Sequence, residues 1–277
     1  MLGWIAGAIC SGLIAWLAYR RRSLSASGVA AAVVVGTALV GLGSTAWFGT
    51  LLAFFVSSTA LSVWKKHRRA EAESGYAKSG RRDAGQVAAN GGAAVLLCAA
   101  HALGPHPLWW AAFVGALAAA NADTWATELG GLSARPPRSV LSGRQVAPGT
   151  SGGVTAAGTA AAACGGLFVG VAAWALLALW PQQLGASVAA EAPASLAALA
   201  LLGLAGGLCG AFADSLLGAW RQRMQRCRVC GREVEAARHC GEPTDYARGW
   251  RWLGNDAVNA LATLIGAGTA ALLALAL

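Results

Sequence analysis

The chain has 277 residues, of which 56% are hydrophobic and only 12% charged, and a formal net charge of +9. Mean hydropathy is +0.54, whereas a soluble domain carries about a quarter charged residues. This composition excludes a soluble globular domain. It also argues against a nucleic-acid-binding one, because the basic residues are confined to a few segments between apolar runs.

Crossing a bilayer takes roughly 20 helical residues. Apolar runs of that order fall at about 2–19, 28–44, 46–64, 87–103, 108–130, 153–180, 195–220 and 253–276. None alternates polar and apolar residues with period two, which argues against a barrel. The expectation is an all-α fold, a polytopic helical membrane bundle of about eight transmembrane helices. It forms a single integral membrane domain over 1–277, with a Cys/His loop at 221–252. The first run has its charges after it, at Arg20–Arg22, and reads as a retained helix rather than a cleaved leader.

All 21 Lys and Arg lie in four segments, Arg20–Arg22, Lys65–Arg82, Arg135–Arg144 and Arg221–Arg251. With these spans the four segments share one side, and the opposite loops (43–45, 101–107 and 181–194) contain none. The positive-inside rule places the basic loops in the cytoplasm and both termini outside, for a protein of the cell (inner) membrane. Trp4, Trp47, Trp109, Trp110 and Trp180 fall near outer span ends, and Trp16, Trp64, Trp220, Trp250 and Trp252 near inner ends. That is the distribution of an aromatic belt.

The polar residues concentrate near the inner face. The fifth span ends N-A-D-T-W-A-T-E-L-G, with Asn121, Asp123 and Glu128. Entering at Leu108, the helix reaches Asp123 after about 22 Å of rise, the inner third of a core about 30 Å thick. The seventh span carries Asp214 and Ser215 at similar depth; the eighth opens with Asn255, Asp256 and Asn259; the fourth with Arg81, Arg82, Asp83, Gln86 and Asn90. Alone, Asp83 or Asp256 reads as a helix-start residue complementing the dipole. Asn90 or Asn259 alone reads as an interhelical hydrogen-bonding group. Asp123 and Asp214 differ, since a carboxylate inside a bilayer costs at least ~2.5–3.5 kcal/mol and is normally paired, metal-bound or functional. No span contains a Lys or Arg, and the four histidines, His67, His101, His106 and His239, read as loop residues. Acids converging without a cation point to Mg²⁺, held by carboxylates and substrate phosphate.

Between the fifth and sixth spans lies R-S-V-L-S-G-R-Q-V-A-P-G-T-S-G-G-V-T. Gly149, Thr150, Ser151, Gly152 and Gly153 can present backbone N–H groups at a helix start, where anions are favoured. Arg138 and Arg144 can neutralise phosphate oxygens. No G-K-[ST] follows, so this is not a Walker loop. The loop 221–252 contains C-R-V-C-G and R-H-C-G, and Cys227, Cys230, His239 and Cys240 are candidate zinc ligands, with a redox Cys-x-x-Cys as the alternative.

Six stretches taken in order carry a resemblance: R-R-D-A-G-Q-V-A-A-N-G-G, N-A-D-T-W-A-T-E-L-G, P-G-T-S-G-G-V-T, F-A-D-S-L-L-G-A, C-R-V-C-G…H-C-G and G-N-D-A-V-N. From about residue 25 onward the sequence resembles the phytyl-phosphate kinase and transmembrane-protein-nineteen family of integral membrane proteins. It is distantly similar to the dolichol kinase and phosphatidate cytidylyltransferase group. The resemblance implies a prenyl-monophosphate kinase, taking a phosphoryl group from a nucleoside triphosphate, CTP foremost. Its substrate would be a prenyl phosphate such as phytyl or geranylgeranyl phosphate. On that reading Asp123, Asp214 and Arg144 are catalytic, and Asp123, Glu128, Asp214 and Asp256 hold Mg²⁺. Arg81, Arg82, Arg138 and the 149–153 run hold phosphates, and Asn90, Asn255 and Asn259 orient them. The expected partners are these two substrates and the lipid bilayer, with no nucleic acid; no motif specifies an oligomeric state. A membrane cytidylyltransferase making a CDP-lipid would use the same parts. A transporter would place its acids nearer the midplane.

Overall fold

The computed structural model describes residues 2–65, 80–179 and 195–277. The basic residues between 66 and 79, Trp180 and the loop 181–194, all used in the topology reading, lie outside them.

Among the described residues eight α-helices follow in chain order: α1 (Leu2–Arg20), α2 (Ala26–Ala38), α3 (Thr45–Lys65), α4 (Ala84–Leu103), α5 (Pro107–Gly130), α6 (Ala156–Leu179), α7 (Leu196–Trp220) and α8 (Asn255–Ala274). A π-helical turn, Leu39–Gly43, prolongs α2. The helix starts follow from local chemistry. Ser25 caps α2 by accepting the Gly28 amide at 3.1 Å. Asp83 and Gln86 form a reciprocal capping box on α4, with bonds of 3.0 and 3.2 Å. Asp83 therefore has the structural role of a helix-start residue.

The membrane-spanning reading holds, with an informative exception. Among the described residues seven helices are long and apolar enough to cross a membrane, counting α2 with its π turn. The eighth, α5, falls short in apolarity because it carries Asn121 and Asp123. It is also the centre of the bundle: every residue from Trp110 to Ala122 is buried, and α3, α4, α6, α7 and α8 pack around it. A helix screened from lipid on all sides does not need lipid-compatible side chains.

Glycine makes the close crossings possible. A Cβ on Gly166 of α6 would fall 2.5 Å from the Gly203 carbonyl oxygen of α7, and one on Gly206 would fall 2.8 Å from Gly115 Cα of α5. Without a hydrophobic drive between helices in lipid, such backbone approach supplies the van der Waals contact that holds them together. Asn121 fastens the crossing of three helices. Its Oδ1 accepts from Ser57 and Ser58 of α3 at 3.0 and 2.9 Å, and its Nδ2 donates to the Gly165 carbonyl of α6 at 2.8 Å.

Two expectations need correction. Trp47 and Trp110 are buried, not belt residues; they pack edge-on at 5.0 Å and share Phe113. Trp4, Trp16, Trp64, Trp220, Trp250 and Trp252 are exposed, as a belt requires. His101 lies not in a loop but in the last turn of α4, buried against the Trp47 ring. The all-α bundle holds, with two small sheets outside its helices. Strands β1 (Arg138–Ser139) and β2 (Gly153–Val154) form a small hairpin, so α6 starts at Ala156 rather than near 153. Strands β3 (Met224–Cys227), β4 (Glu233–Val234), β5 (Arg238–His239) and β6 (Glu242–Arg248) form an antiparallel sheet in the order β4-β3-β6-β5. Both sheets sit outside the membrane spans.

Candidate functional site

At the end of the bundle where α3, α5 and α7 finish and α4, α6 and α8 begin lies a polar cavity of about 560 Å³. Each helix sends in the polar residues of its last or first turns. Ser62 comes from α3, Gln86 and Asn90 from α4, Asp123 and Glu128 from α5, Thr159 from α6, Asp214 from α7, and Asn255 and Asn259 from α8. Arg82 enters just ahead of α4, and the loops 133–137 and 148–155 form the outer wall.

The acids in this cavity fall into two sets. Asp123, Asp214 and Glu235 lie within electrostatic range of one another. One oxygen of Asp214, Oδ2, is buried and has no hydrogen-bond partner among the described residues. Leaving a buried carboxylate oxygen without a donor is costly. Glu128 is different. It is buried, accepts from Ser62 Oγ at 2.7 Å, and lies within range of Arg82. Arg82 is itself fixed: its backbone bonds Ser23 and Ser25 at 2.9 and 3.0 Å, and its guanidinium stands 5.8 Å from the Phe54 and Phe55 rings. Its charge is thus held at the cavity wall with little freedom to leave.

The structure brings together Arg82, Asn90, Asp123, Glu128, Gly149–Gly153, Asp214, Asn255 and Asn259, as the sequence reading grouped them. Four other residues that the sequence assigned to the site are not in the cavity wall. Arg81 stacks 5.9 Å over Tyr19. Arg138 donates to the Gly143 carbonyl of its own hairpin at 2.8 Å. Arg144 is exposed on the same hairpin, and Asp256 occupies the first turn of α8, where it complements the helix dipole. The glycine run is also not a helix start. Two of its amides, on Thr150 and Gly153, already bond the carbonyls of Ala147 and Thr150. Gly152, at φ +77°, lets the run press onto α7 beside Ser215 and Ala219, and Ser151 bonds Gln222 at 2.8 Å.

Among the wall residues that escaped the sequence reading, three are long polar side chains: Arg135, Gln222 and Glu235. All come from extramembrane segments that fold back over the cavity, and no local pattern marks them. The cysteine cluster is not part of this wall. There the Cys230 amide above all pulls the Cys227 thiol down to about 6, helped by the His239 ring and the Val229 amide against a burial cost. Burial and the neighbouring thiols push Cys240 up to about 11.

These features define a helical integral membrane protein with an acidic, arginine-walled cavity at one membrane face. Residues 9–267 match the family described as integral membrane protein DUF92, and the chain belongs to it. The chain is 32% identical to "Protein PGR" of Arabidopsis thaliana, across 93% of this chain and 91% of that protein. It is 28% identical to "Uncharacterized membrane protein MJ0933" of Methanocaldococcus jannaschii, across 76% and 80%. No solved structure matches. The family resemblance drawn from the six motifs is borne out.

Proposed function

We propose that the protein is a prenyl-monophosphate kinase, transferring a phosphoryl group from a nucleoside triphosphate, CTP foremost, to a prenyl phosphate. In this reading the cavity faces the cytoplasm and both termini lie outside. One observation supports it above the others. Beside the polar cavity runs an apolar cleft of about 80 Å³ among α1, α2, α3 and α4, lined by residues such as Leu51, Phe54, Phe55 and Val87, and the two spaces share Arg82, Gln86 and Asn90. A polar chamber joined to a hydrocarbon slot at an arginine suits a ligand with a phosphate head and a branched apolar tail.

The acceptor of such a reaction is a phosphate oxygen, already ionised at neutral pH, so no general base is required. The difficulty is holding two anions together, which calls for positioning and charge neutralisation. Arg82 binds the prenyl phosphate at the junction, and Arg135 faces the nucleotide side. Asn90, Asn255 and Asn259 orient phosphate oxygens, and the 148–155 loop screens the chamber from bulk water. Asp123 and Asp214 offer the hard oxygen donors that Mg²⁺ prefers, and the donorless Asp214 Oδ2 fits that role. When bound, the ion supplies neutralisation of the phosphoryl oxygens.

The test is incubation of the purified protein with phytyl, geranylgeranyl or farnesyl monophosphate and each nucleoside triphosphate, with products identified by mass. Prenyl diphosphate with a nucleoside diphosphate is expected. A CDP-lipid with pyrophosphate would replace the kinase by a cytidylyltransferase, and no consumption of any pair would end both. A transporter is disfavoured because the acids crowd one end of the bundle rather than its middle.

A further inference from the structure

The sheet β3–β6 is two hairpins joined side by side through β3 and β6. The turn of the first holds Cys227 and Cys230, and the turn of the second holds His239 and Cys240. The ligand atoms of all four lie within 4.8 Å of one another. His239 Nδ1 is 3.5 Å from Cys230 Sγ and 3.2 Å from Cys240 Sγ. With metal–sulfur and metal–nitrogen bonds of 2.3 and 2.0–2.1 Å, a tetrahedral zinc site has an S···N edge of about 3.6 Å. The spacing is therefore close to that of a filled site.

Two backbone features lead to the same geometry. Val229 and Cys230 amides point at Cys227 Sγ from 3.4 and 3.5 Å, and Gly231 follows at φ +71°, so the first turn wraps its sulfur in N–H donors. In the second turn Cys240 itself adopts φ +52°. A left-handed conformation is unfavourable for a residue with a Cβ and persists where surrounding structure requires it. A Cys-x-x-Cys redox pair would involve the first turn alone. It leaves unexplained why a histidine and a strained cysteine from another hairpin converge on it.

The consequence reaches the cavity. The segment joining β4 to β5 carries Glu235 into the cavity wall. Thr244 of β6 holds that segment by bonds to the Ala236 and Ala237 carbonyls, at 2.8 and 3.0 Å. At the membrane end, Arg248 donates to the Ala219 carbonyl of α7 at 3.0 Å. The sheet is thus tied to the bundle at its base and lacks a hydrophobic core of its own beyond Met224, Cys227 and Val234. So small a unit needs a staple.

We infer that Cys227, Cys230, His239 and Cys240 bind a structural zinc ion that locks the two hairpins together and thereby holds Glu235 over the acidic cavity. The clamp stands whether or not the kinase reading does. The experiment uses the full chain purified in detergent under reducing conditions. Elemental analysis is expected to find one zinc per chain, and replacement by Co²⁺ to give thiolate-to-cobalt charge-transfer absorption. Both signals should vanish in Cys230→Ser and Cys240→Ser and survive in Cys164→Ser. The cobalt spectrum of the unaltered chain needs no variant, so misfolding of a mutant does not obscure the result. Trypsin cleavage at Arg232 and Arg238 should be slow in the zinc-loaded protein and at least ~10-fold faster after chelation, as expected where metal binding stabilises local structure. A metal-free protein that takes up neither ion, a Cys227–Cys230 disulfide in its place, or cleavage indifferent to chelation would overturn the inference.

Discussion

Asn121 and Asp123 sit two positions apart on α5, yet the tertiary structure gives them opposite characters. Asn121 has partners for its oxygen and its nitrogen on α3 and α6; it is a fastener. Replacing it with Ala should lower stability by about 1–2 kcal/mol, since interhelical hydrogen bonds in membranes are modest and the serines lose their acceptor. Thermal unfolding in detergent checks this. Asp214 has a bare oxygen facing two other acids. Asp214→Asn removes a buried charge, so the melting temperature should stay level or rise while phosphoryl transfer falls by at least ~100-fold, the scale of losing a principal electrostatic group. Turnover that survives Asp214→Asn would remove this residue from the site. Loss of folding in place of loss of turnover would make it structural.

Among the elements, α6 and α7 meet backbone to backbone at Gly166, Gly170 and Gly203. Gly166→Leu should force the helices apart and destabilise the protein by about 3 kcal/mol or more, the upper range for overpacking. Gly268, which faces open space, should tolerate Leu, and paired melting curves separate the two. The 148–155 loop makes a similar prediction with a different readout. At Gly152 the positive φ and the nearness of Ala219 both oppose a side chain. Gly152→Val should lift the loop from α7 and raise KM for the nucleotide, while the helical bundle melts as before.

For the molecule as a whole, the segments that join the helices at the cavity end carry the basic residues, so under the proposed function charge bias places the cavity in the cytoplasm. Gly104→Cys, in the loop between α4 and α5, should react with a membrane-impermeant maleimide in intact cells. Ser142→Cys, in the β1–β2 hairpin, should react only after permeabilisation. Native cysteines require a background in which the exposed Cys230 and Cys240 are accounted for by a parallel reaction of the unaltered chain. The reverse labelling pattern would put the cavity outside and remove access to cytoplasmic nucleotide.

The class of the protein, its helix boundaries to within a few residues, and the end of the bundle where the polar residues gather were all legible along the chain. These depend on hydropathy, charge bias and rise per residue, all of which are local or additive along the chain. The sequence also paired Asp123 with Asp214, because equal depth on two helices is a one-dimensional quantity. Azimuth, meaning which side of each helix faces inward, emerges only when the helices pack. That is why Arg81 lies on Tyr19 while its neighbour Arg82 enters the cavity, and why Trp110 is core while Trp4 meets lipid. Return contacts were equally out of reach: Glu235 arrives at Asp214 through a sheet whose folding depends on pairings between residues distant in the chain.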